Sequence, residues 1–278
     1  MSQQKPLHHL DPQDQQTKGL AVITGASTGI GAIYADRLAR RGYDLLLIAR
    51  NQTRLDQLAA SITDQTGRTV EVLAADLSDP GDVAKLERVL RDDARVTMLV
   101  NNAGVGAIAP LVDADVNDMS RMIALNVDAL MRLTYAVVPA FVRRGAGTIV
   151  NIASIVAVAP ELLNGVYGGS KAFVVAFSQS LRHELADKGI RVQVVLPGAT
   201  GTPFWNAMGK PVEELPQAWV MTADDLVDAA IAGLDQGEFA TVPALPDVAQ
   251  WNAYEWARQA LMPNLSNSTP AGRYGLGR

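Results

Sequence analysis

The sequence predicts a doubly wound α/β fold: one parallel sheet of about seven strands, helices on both faces, in a single domain. Three observations carry that expectation. Short apolar runs alternate along the chain with longer stretches of helical period. The short runs are nearly continuous hydrophobics, as in strands covered on both faces. The composition, 278 residues that are 48% hydrophobic and 19% charged, supplies one ample core.

The elements follow in order. Residues 1–18 hold five Gln and two Asp and read as a flexible leader. The domain is expected over 19–262. Strands are predicted at Leu20–Thr24, Asp44–Ala49, Thr69–Ala74, Val96–Val100, Thr148–Ile152, Arg191–Leu196 and Phe239–Val242. Between them, helices are predicted at Gly31–Arg41, Arg54–Thr66, Asp82–Asp92, Asn117–Arg144, Tyr167–Lys188 and Ala223–Asp235. Strand–helix repetition of this kind builds right-handed βαβ units. Residues 199–221 break the rhythm with Gly201, Pro203, Gly209, Pro211 and Pro216, and read as an irregular functional insert. All four Trp (Trp205, Trp219, Trp251 and Trp256) lie after residue 200, which fits either core filling or an aromatic wall over a ligand. Residues 263–278 read as a loose tail.

Scarce residues exclude several chemistries. There is no Cys, so there is no disulfide, thiolate nucleophile or Cys-held metal. Of three His, His8 and His9 sit in the leader and only His183 lies in the body, which rules out a three-His metal site there. No metal is expected. The net charge of −5 comes without a basic stripe, which argues against nucleic acid. No uninterrupted apolar run reaches the ~18 residues of a membrane span, and the first residues lack a signal-peptide core. A cytoplasmic protein with no membrane or nucleic-acid partner is the expectation.

After the first strand comes Thr24-Gly25-Ala26-Ser27-Thr28-Gly29-Ile30-Gly31. A glycine-rich turn into a helix lets backbone N–H groups approach a phosphate, and the helix N-terminus favours its charge. The same residues contain Gly25-x-Ser27-x-Gly29, the pattern of a hydrolase nucleophile elbow. That chemistry needs a His base, and His183 sits inside a helical stretch between Arg182 and Glu184.

Tyr167 and Lys171 stand four residues apart at the start of a helix, hence on one face. A phenol is a poor acid or base near neutrality, and a nearby cation lowers its pKa. The pair suits proton transfer to a hydroxyl or carbonyl. Ser154 lies thirteen residues upstream, at the end of an apolar run, where strand ends face the ligand crevice.

In this combination the chain resembles the short-chain dehydrogenases/reductases, from about Gly19 to Val242. The resemblance rests on the glycine turn, Asp76, Asn101-Asn102-Ala103-Gly104, Asn126, Ser154, Tyr167 with Lys171, and Pro197-Gly198. It implies a Rossmann-like fold and hydride transfer between a nicotinamide cofactor and a carbonyl or secondary alcohol. It gives Tyr167 the role of general acid/base and Ser154 that of carbonyl-oxygen partner. Lys171 would lower the Tyr167 pKa and bind the nicotinamide ribose, and Asn126 would hold a relay water. Gly25, Ser27, Thr28, Gly29, Ile30 and Gly31 would cradle the phosphates. Asp76, with Leu77, would meet the adenine, and Asn102, Ala103 and Gly104 the adenine ribose. Pro197, Gly198 and Thr202 would abut the nicotinamide.

The second strand ends Ala49-Arg50-Asn51, where an NAD enzyme of this topology carries an acid. Arg50, with Asn51 beside it, suits a 2′-phosphate, so NADP(H) is expected, with NAD(H) possible. Trp205 and Trp219 suggest an apolar or aromatic carbonyl substrate. Two other readings stand: a nucleotide-binding sensor of the same fold without turnover, and a sugar-nucleotide epimerase or dehydratase. Phe173, Phe177, Leu181 and Leu185, with Val174 and Val175 beside them, make the Tyr167–Lys188 helix apolar beyond one stripe. A homo-oligomer is therefore expected, and the family resemblance implies a homodimer or homotetramer.

Overall fold

The structure is a computed structural model that describes residues 17–276. Most of the predicted leader, and the last two residues of the predicted tail, lie outside the described residues. Two compact units are present, one ending at Pro243 and one beginning at Ala244.

The first unit alternates as the periodicity requires. It begins β1 (Leu20–Thr24), α1 (Gly29–Arg40), β2 (Asp44–Ala49), α2 (Gln52–Thr66), β3 (Val70–Ala74), α3 (Pro80–Asp92) and β4 (Val96–Asn101). Next come α4 (Val116–Ile123), a π-helical turn over 124–129, α5 (Leu130–Arg144), β5 (Gly147–Ile152), α6 (Gly165–Leu185) and β6 (Ile190–Val195). The unit closes with β7 (Thr200–Gly201), the short α7 (Phe204–Ala207), β8 (Met221–Thr222), α8 (Ala223–Gln236) and β9 (Ala240–Thr241). The predicted insert is thus mostly irregular, held at its ends by the parallel β7–β8 pair.

Seven strands form one sheet in the order β3-β2-β1-β4-β5-β6-β9, every pair parallel. The order reverses direction at β1, which pairs with both β2 and β4. Ligands of open α/β sheets bind at such a switch point, outside the carboxyl ends of the strands. The strands β1, β2 and β4 are buried almost throughout, which is why they read as continuous apolar runs.

One predicted helix is three segments. The stretch expected as Asn117–Arg144 is interrupted by the π-helical turn around Asn126. Such turns occur mostly inside α-helices at functional sites. Among the described residues, 116–144 is also the one helical stretch long and apolar enough to cross a membrane. Here α5 packs on β4, β5 and α3 and buries Leu133, Val137 and Phe141, so its apolarity is that of a core helix.

The second unit holds a helix that the sequence reading does not contain. This is α9 (Val248–Ala260), started by Asp247, whose carboxylate accepts from the Ala249 N–H at 2.8 Å.

Candidate active site

The glycine turn is fixed by β1 and β4 together. The Thr24 hydroxyl accepts from the backbone N–H groups of Asn102 and Ala103, both at 3.0 Å. Asn102 returns the contact, its amide donating to the carbonyls of Thr24 (2.9 Å) and Gly25 (3.2 Å). The turn leaves no room for a side chain at Gly25 or Gly31. Gly25 has φ +66°, and a Cβ on Gly31 would lie 2.4 Å from the Gly25 carbonyl oxygen. Thr28 precedes α1 with no side-chain cap, and no acid sits in the helix's first turn. These are the features of an anion site at a helix N-terminus. Ser27 and Ile30 lie on the same turn, both half-buried. Thr202 reaches it from the insert, its methyl 3.1 Å from where a Gly29 Cβ would stand.

At the end of β2, Arg50 is exposed and, among the described residues, makes no side-chain hydrogen bond or ion pair. Its charge, after the Ser78 hydrogen bonds, helps hold the Asp76 carboxyl below the usual range. Asp76 accepts from the Ser78 N–H (2.9 Å) and hydroxyl (2.6 Å), with Leu77 buried between them. Asn51 is engaged elsewhere, its side-chain oxygen capping α2 by accepting from the Arg54 N–H at 3.0 Å.

The second cluster lies where β5 and β6 end and α6 begins. Ser154 is 8% exposed in extended backbone after β5. Its hydroxyl donates to the Pro197 carbonyl and accepts from the Val156 N–H, each at 3.4 Å. Pro197 also accepts from the Ile155 N–H at 3.0 Å, and Gly198 lies beside Ile155. Tyr167 and Lys171 are both 5% exposed. Burial pushes the Tyr167 phenol up to about 12, against a side-chain hydrogen bond with Ser154 that lowers it. Burial pushes the Lys171 ammonium down to about 8. The ammonium donates to the Ile152 carbonyl at 2.9 Å and lies 6.0 Å from the centre of the Tyr167 ring. In this environment burial, and not the Lys171 charge, dominates the phenol.

Asn126 is 1% exposed and fully engaged. Its amide donates to the Val105 carbonyl (2.8 Å) and the Ser170 hydroxyl (3.1 Å), and its oxygen accepts from the Val105 N–H (2.9 Å). A Cβ on Gly104 would meet the Asn126 oxygen at 3.1 Å and the Lys171 ammonium nitrogen at 3.3 Å. Asn126 and Lys171 thus meet at Gly104, in the segment after β4, and Val105 of that segment packs on the cluster that holds Tyr167.

Three contributors do not stand out in the sequence. Asn164 caps α6, accepting from the N–H groups of Val166 (2.9 Å) and Tyr167 (3.4 Å), and its amide donates to the Ala109 carbonyl at 2.7 Å. An Asn just before a helix is a cap signal that could have found it. Phe204 lies over the phenol, ring centres 6.1 Å apart. Gly106 lets it do so, since a Cβ there would sit 2.7 Å from the Phe204 ring and 2.6 Å from the Met208 sulfur. The aromatic neighbour is thus Phe204 and not a Trp. Trp205 donates its indole N–H to the Thr200 carbonyl at 3.0 Å, and Trp219 is 71% exposed. His183, on α6, is exposed and lies sixteen residues past Tyr167, about 24 Å along the helix axis, so it cannot serve as base for Ser27.

Residues 19–213 match the short chain dehydrogenase family. The chain belongs to that family. It is 49% identical to a short-chain dehydrogenase from Sphingobium yanoikuyae solved in complex with NADPH, with TM-score 0.89 over 92% of this chain and 99% of that one. It is 42% identical to a bulky-bulky ketone specific alcohol dehydrogenase from Comamonas testosteroni, with TM-score 0.86 over 93% and 99% of the two chains. A very-long-chain 3-oxoacyl-CoA reductase of Anas platyrhynchos is 37% identical over 215 residues, 76% of this chain and 67% of that protein. This member of the family is an oxidoreductase acting on carbonyl or alcohol groups.

Lys171 carries a stability cost in this site. Its folded pKa, about 8, lies below the unfolded value of 10.5, so the fold binds fewer protons between those limits. Stability is expected to rise with pH through that window. Lys171→Met removes the cost and should stabilise the protein at pH 7, by at most about 3 kcal/mol, with the gain vanishing near pH 10.5. Urea unfolding of both proteins at several pH values checks this, and a pH-independent difference would contradict it.

Proposed function

We propose that the protein transfers a hydride between NADP(H) and an apolar ketone or secondary alcohol, with Tyr167 as the general acid. The observation that carries this reading is the buried Ser154–Tyr167–Lys171 cluster at the carboxyl ends of β5 and β6. The residues present fit the cofactor. The side-chain-free turn at Gly25, Gly29 and Gly31 and the uncapped α1 suit its phosphates, and Arg50 suits a 2′-phosphate. Asp76, Leu77, Asn102, Ala103 and Gly104 would take the adenosine side; Pro197, Gly198, Thr202 and Lys171 the nicotinamide side. The Sphingobium relative bound to NADPH supports the NADP(H) preference.

When bound, the cofactor supplies or accepts the hydride. The chain's own groups manage the proton and the charge. Burial, which raises the phenol to about 12, leaves Tyr167 protonated at neutral pH but makes it a weaker acid, so donation relies on the charge that develops on the substrate oxygen and on the Lys171 ammonium beside it. Ser154 can turn its one O–H from the long 3.4 Å contact with the Pro197 carbonyl to the substrate oxygen, stabilising developing negative charge. The Lys171 ammonium offsets the charge left on Tyr167 after donation. Asn126 and Ser170 hold α6 to the segment after β4, which keeps these groups in one geometry.

The surroundings of Tyr167 set the substrate class. Buried Val156 and Met122, with Val105, Leu163 and Phe204, form an apolar cluster around it. The Comamonas relative is specific for bulky-bulky ketones, which supports the same class here. Phe204→Ala should raise KM for an aryl ketone about tenfold, from a lost aromatic contact of about 1.5 kcal/mol, and leave the NADPH Kd unchanged. An unchanged KM would remove Phe204 from the substrate wall. A panel of ketones with NADPH and NADH, followed by loss of nicotinamide absorbance, tests the function itself. Turnover confined to small polar aldehydes, or absent, would reject the proposal.

The half-exposed Phe173 and Phe177 stack on each other, and Phe177 stacks on Tyr135, which is 68% exposed. This aromatic face of α5 and α6 supports the homo-oligomer. Leu181 and Leu185, by contrast, are buried within the unit.

A further inference from the structure

At the opposite end of the sheet from the catalytic cluster lies a cavity of about 120 Å³. The amino ends of the strands form one side of it: Lys18 precedes β1, Tyr43 precedes β2, and Arg191 is the second residue of β6. The carboxyl ends of α1 and α8 form the other, with Arg41 and Asp235 facing each other at 2.5 Å. That pair neutralises itself. The remaining two cations do not: among the described residues neither Lys18 nor Arg191 meets a carboxylate. The Lys18 ammonium lies 5.9 Å from the centre of the Tyr43 ring, and Arg191 makes one long hydrogen bond, 3.4 Å, to the Thr148 hydroxyl.

A buried group without a partner adds a second, independent observation. Tyr34 lines the cavity, is 2% exposed, and its hydroxyl has no hydrogen-bond partner among the described residues. Buried hydroxyls are nearly always partnered, so this donor calls for an acceptor. Between the polar groups the wall is aliphatic, from Leu38, Met98, Ile231 and Leu234. Wholly apolar cavities of roughly 150 Å³ take up benzene. This one is smaller and opens at the exposed Lys18 and Arg191, so part of a ring-sized molecule fits inside it with its polar end at the mouth.

We propose that this cavity is a binding site for a small organic carboxylate, separate from the catalytic site. Its anion is held by Lys18 and Arg191, its oxygen accepts from the Tyr34 hydroxyl, and its apolar body lies on the aliphatic wall. Two unneutralised cations alone would suit any anion. The aliphatic wall selects an organic one with a compact body, and the two charges select against a neutral molecule of the same shape.

Calorimetric titration of the full chain with benzoate tests this, with benzyl alcohol and inorganic phosphate as comparisons. Saturable benzoate binding in the millimolar range is expected, with both comparisons weaker. Arg191→Ala should weaken benzoate at least tenfold, as a lost charged hydrogen bond does. Tyr34→Phe, which keeps the ring in the core, should weaken it several-fold. Tyr167→Phe should leave it unchanged, which separates this cavity from any benzoate in the catalytic pocket. Thermal melting confirms that each variant is folded, and Lys18→Ala replaces one that is not. Absent binding, equal affinity for phosphate, wild-type affinity in Arg191→Ala, or a loss confined to Tyr167→Phe would each overturn the proposal.

Discussion

Tyr167→Phe is expected to lower kcat by about 10²–10⁴ and leave the Kd for NADPH nearly unchanged. The substitution removes one oxygen from a side chain that is 5% exposed, and the ring keeps its place beside Phe204 and Val156. What disappears is the phenolic proton, which Tyr167 holds at neutral pH. Ser154 remains to stabilise charge on the substrate oxygen, so a residual rate is expected and not a complete loss. Stopped-flow reduction of an aryl ketone, together with fluorescence titration of NADPH, reads both quantities. A variant that kept more than about a tenth of kcat would move the proton-donor role elsewhere.

Arg50→Ala is expected to weaken NADPH by about 10- to 150-fold, from the ~1.5–3 kcal/mol that hydrogen bonds to a charged group contribute. NADH carries no phosphate at that place and its Kd should barely move. Arg50 is exposed and has no hydrogen bond or ion pair among the described residues, so its loss disturbs no fold contact. Asn51, its neighbour in the expected phosphate site, commits its side-chain oxygen to the cap of α2. Ala49→Asp together with Arg50→Ala should invert the preference, since a carboxylate repels the phosphate and accepts from ribose hydroxyls. Equal losses for the two cofactors would make Arg50 a surface residue without a cofactor role.

The parts legible in the sequence are those set by local chemistry. The strand runs stand out because β1, β2 and β4 are buried on both faces, and the glycine turn because no Cβ fits at Gly31. Tyr167 and Lys171 are legible because residues four apart on a helix share a face. What escapes depends on long-range approach. Phe204 reaches Tyr167 across thirty-seven residues of chain, and only the bare Cα of Gly106 makes room for it. The π-helical turn at Asn126 has no signature in hydrophobic period, since its residues remain on a helical path. Trp205 and Trp219 draw attention by being scarce, yet one is tied to the Thr200 carbonyl and the other faces solvent. Helix α9, by contrast, carries an Asp247 cap and the helical spacing of Trp251 and Tyr254, signals of the same kind as those of the predicted helices, so its absence from the prediction has no physical cause. The effect of burial on Tyr167 and Lys171 is invisible in the sequence, because spacing alone says nothing of desolvation.

On the proposed mechanism this chain moves a hydride to a carbonyl carbon while Tyr167 gives the oxygen its proton. The direct measurement is reduction of an aryl ketone with NADPH carrying deuterium at the transferable nicotinamide position, followed by mass spectrometry of the alcohol. One deuterium on the carbinol carbon is expected with the wild-type protein, and product formation slowed by about 10²–10⁴ in Tyr167→Phe. Alcohol without deuterium, or labelled alcohol formed at the wild-type rate by Tyr167→Phe, would contradict it.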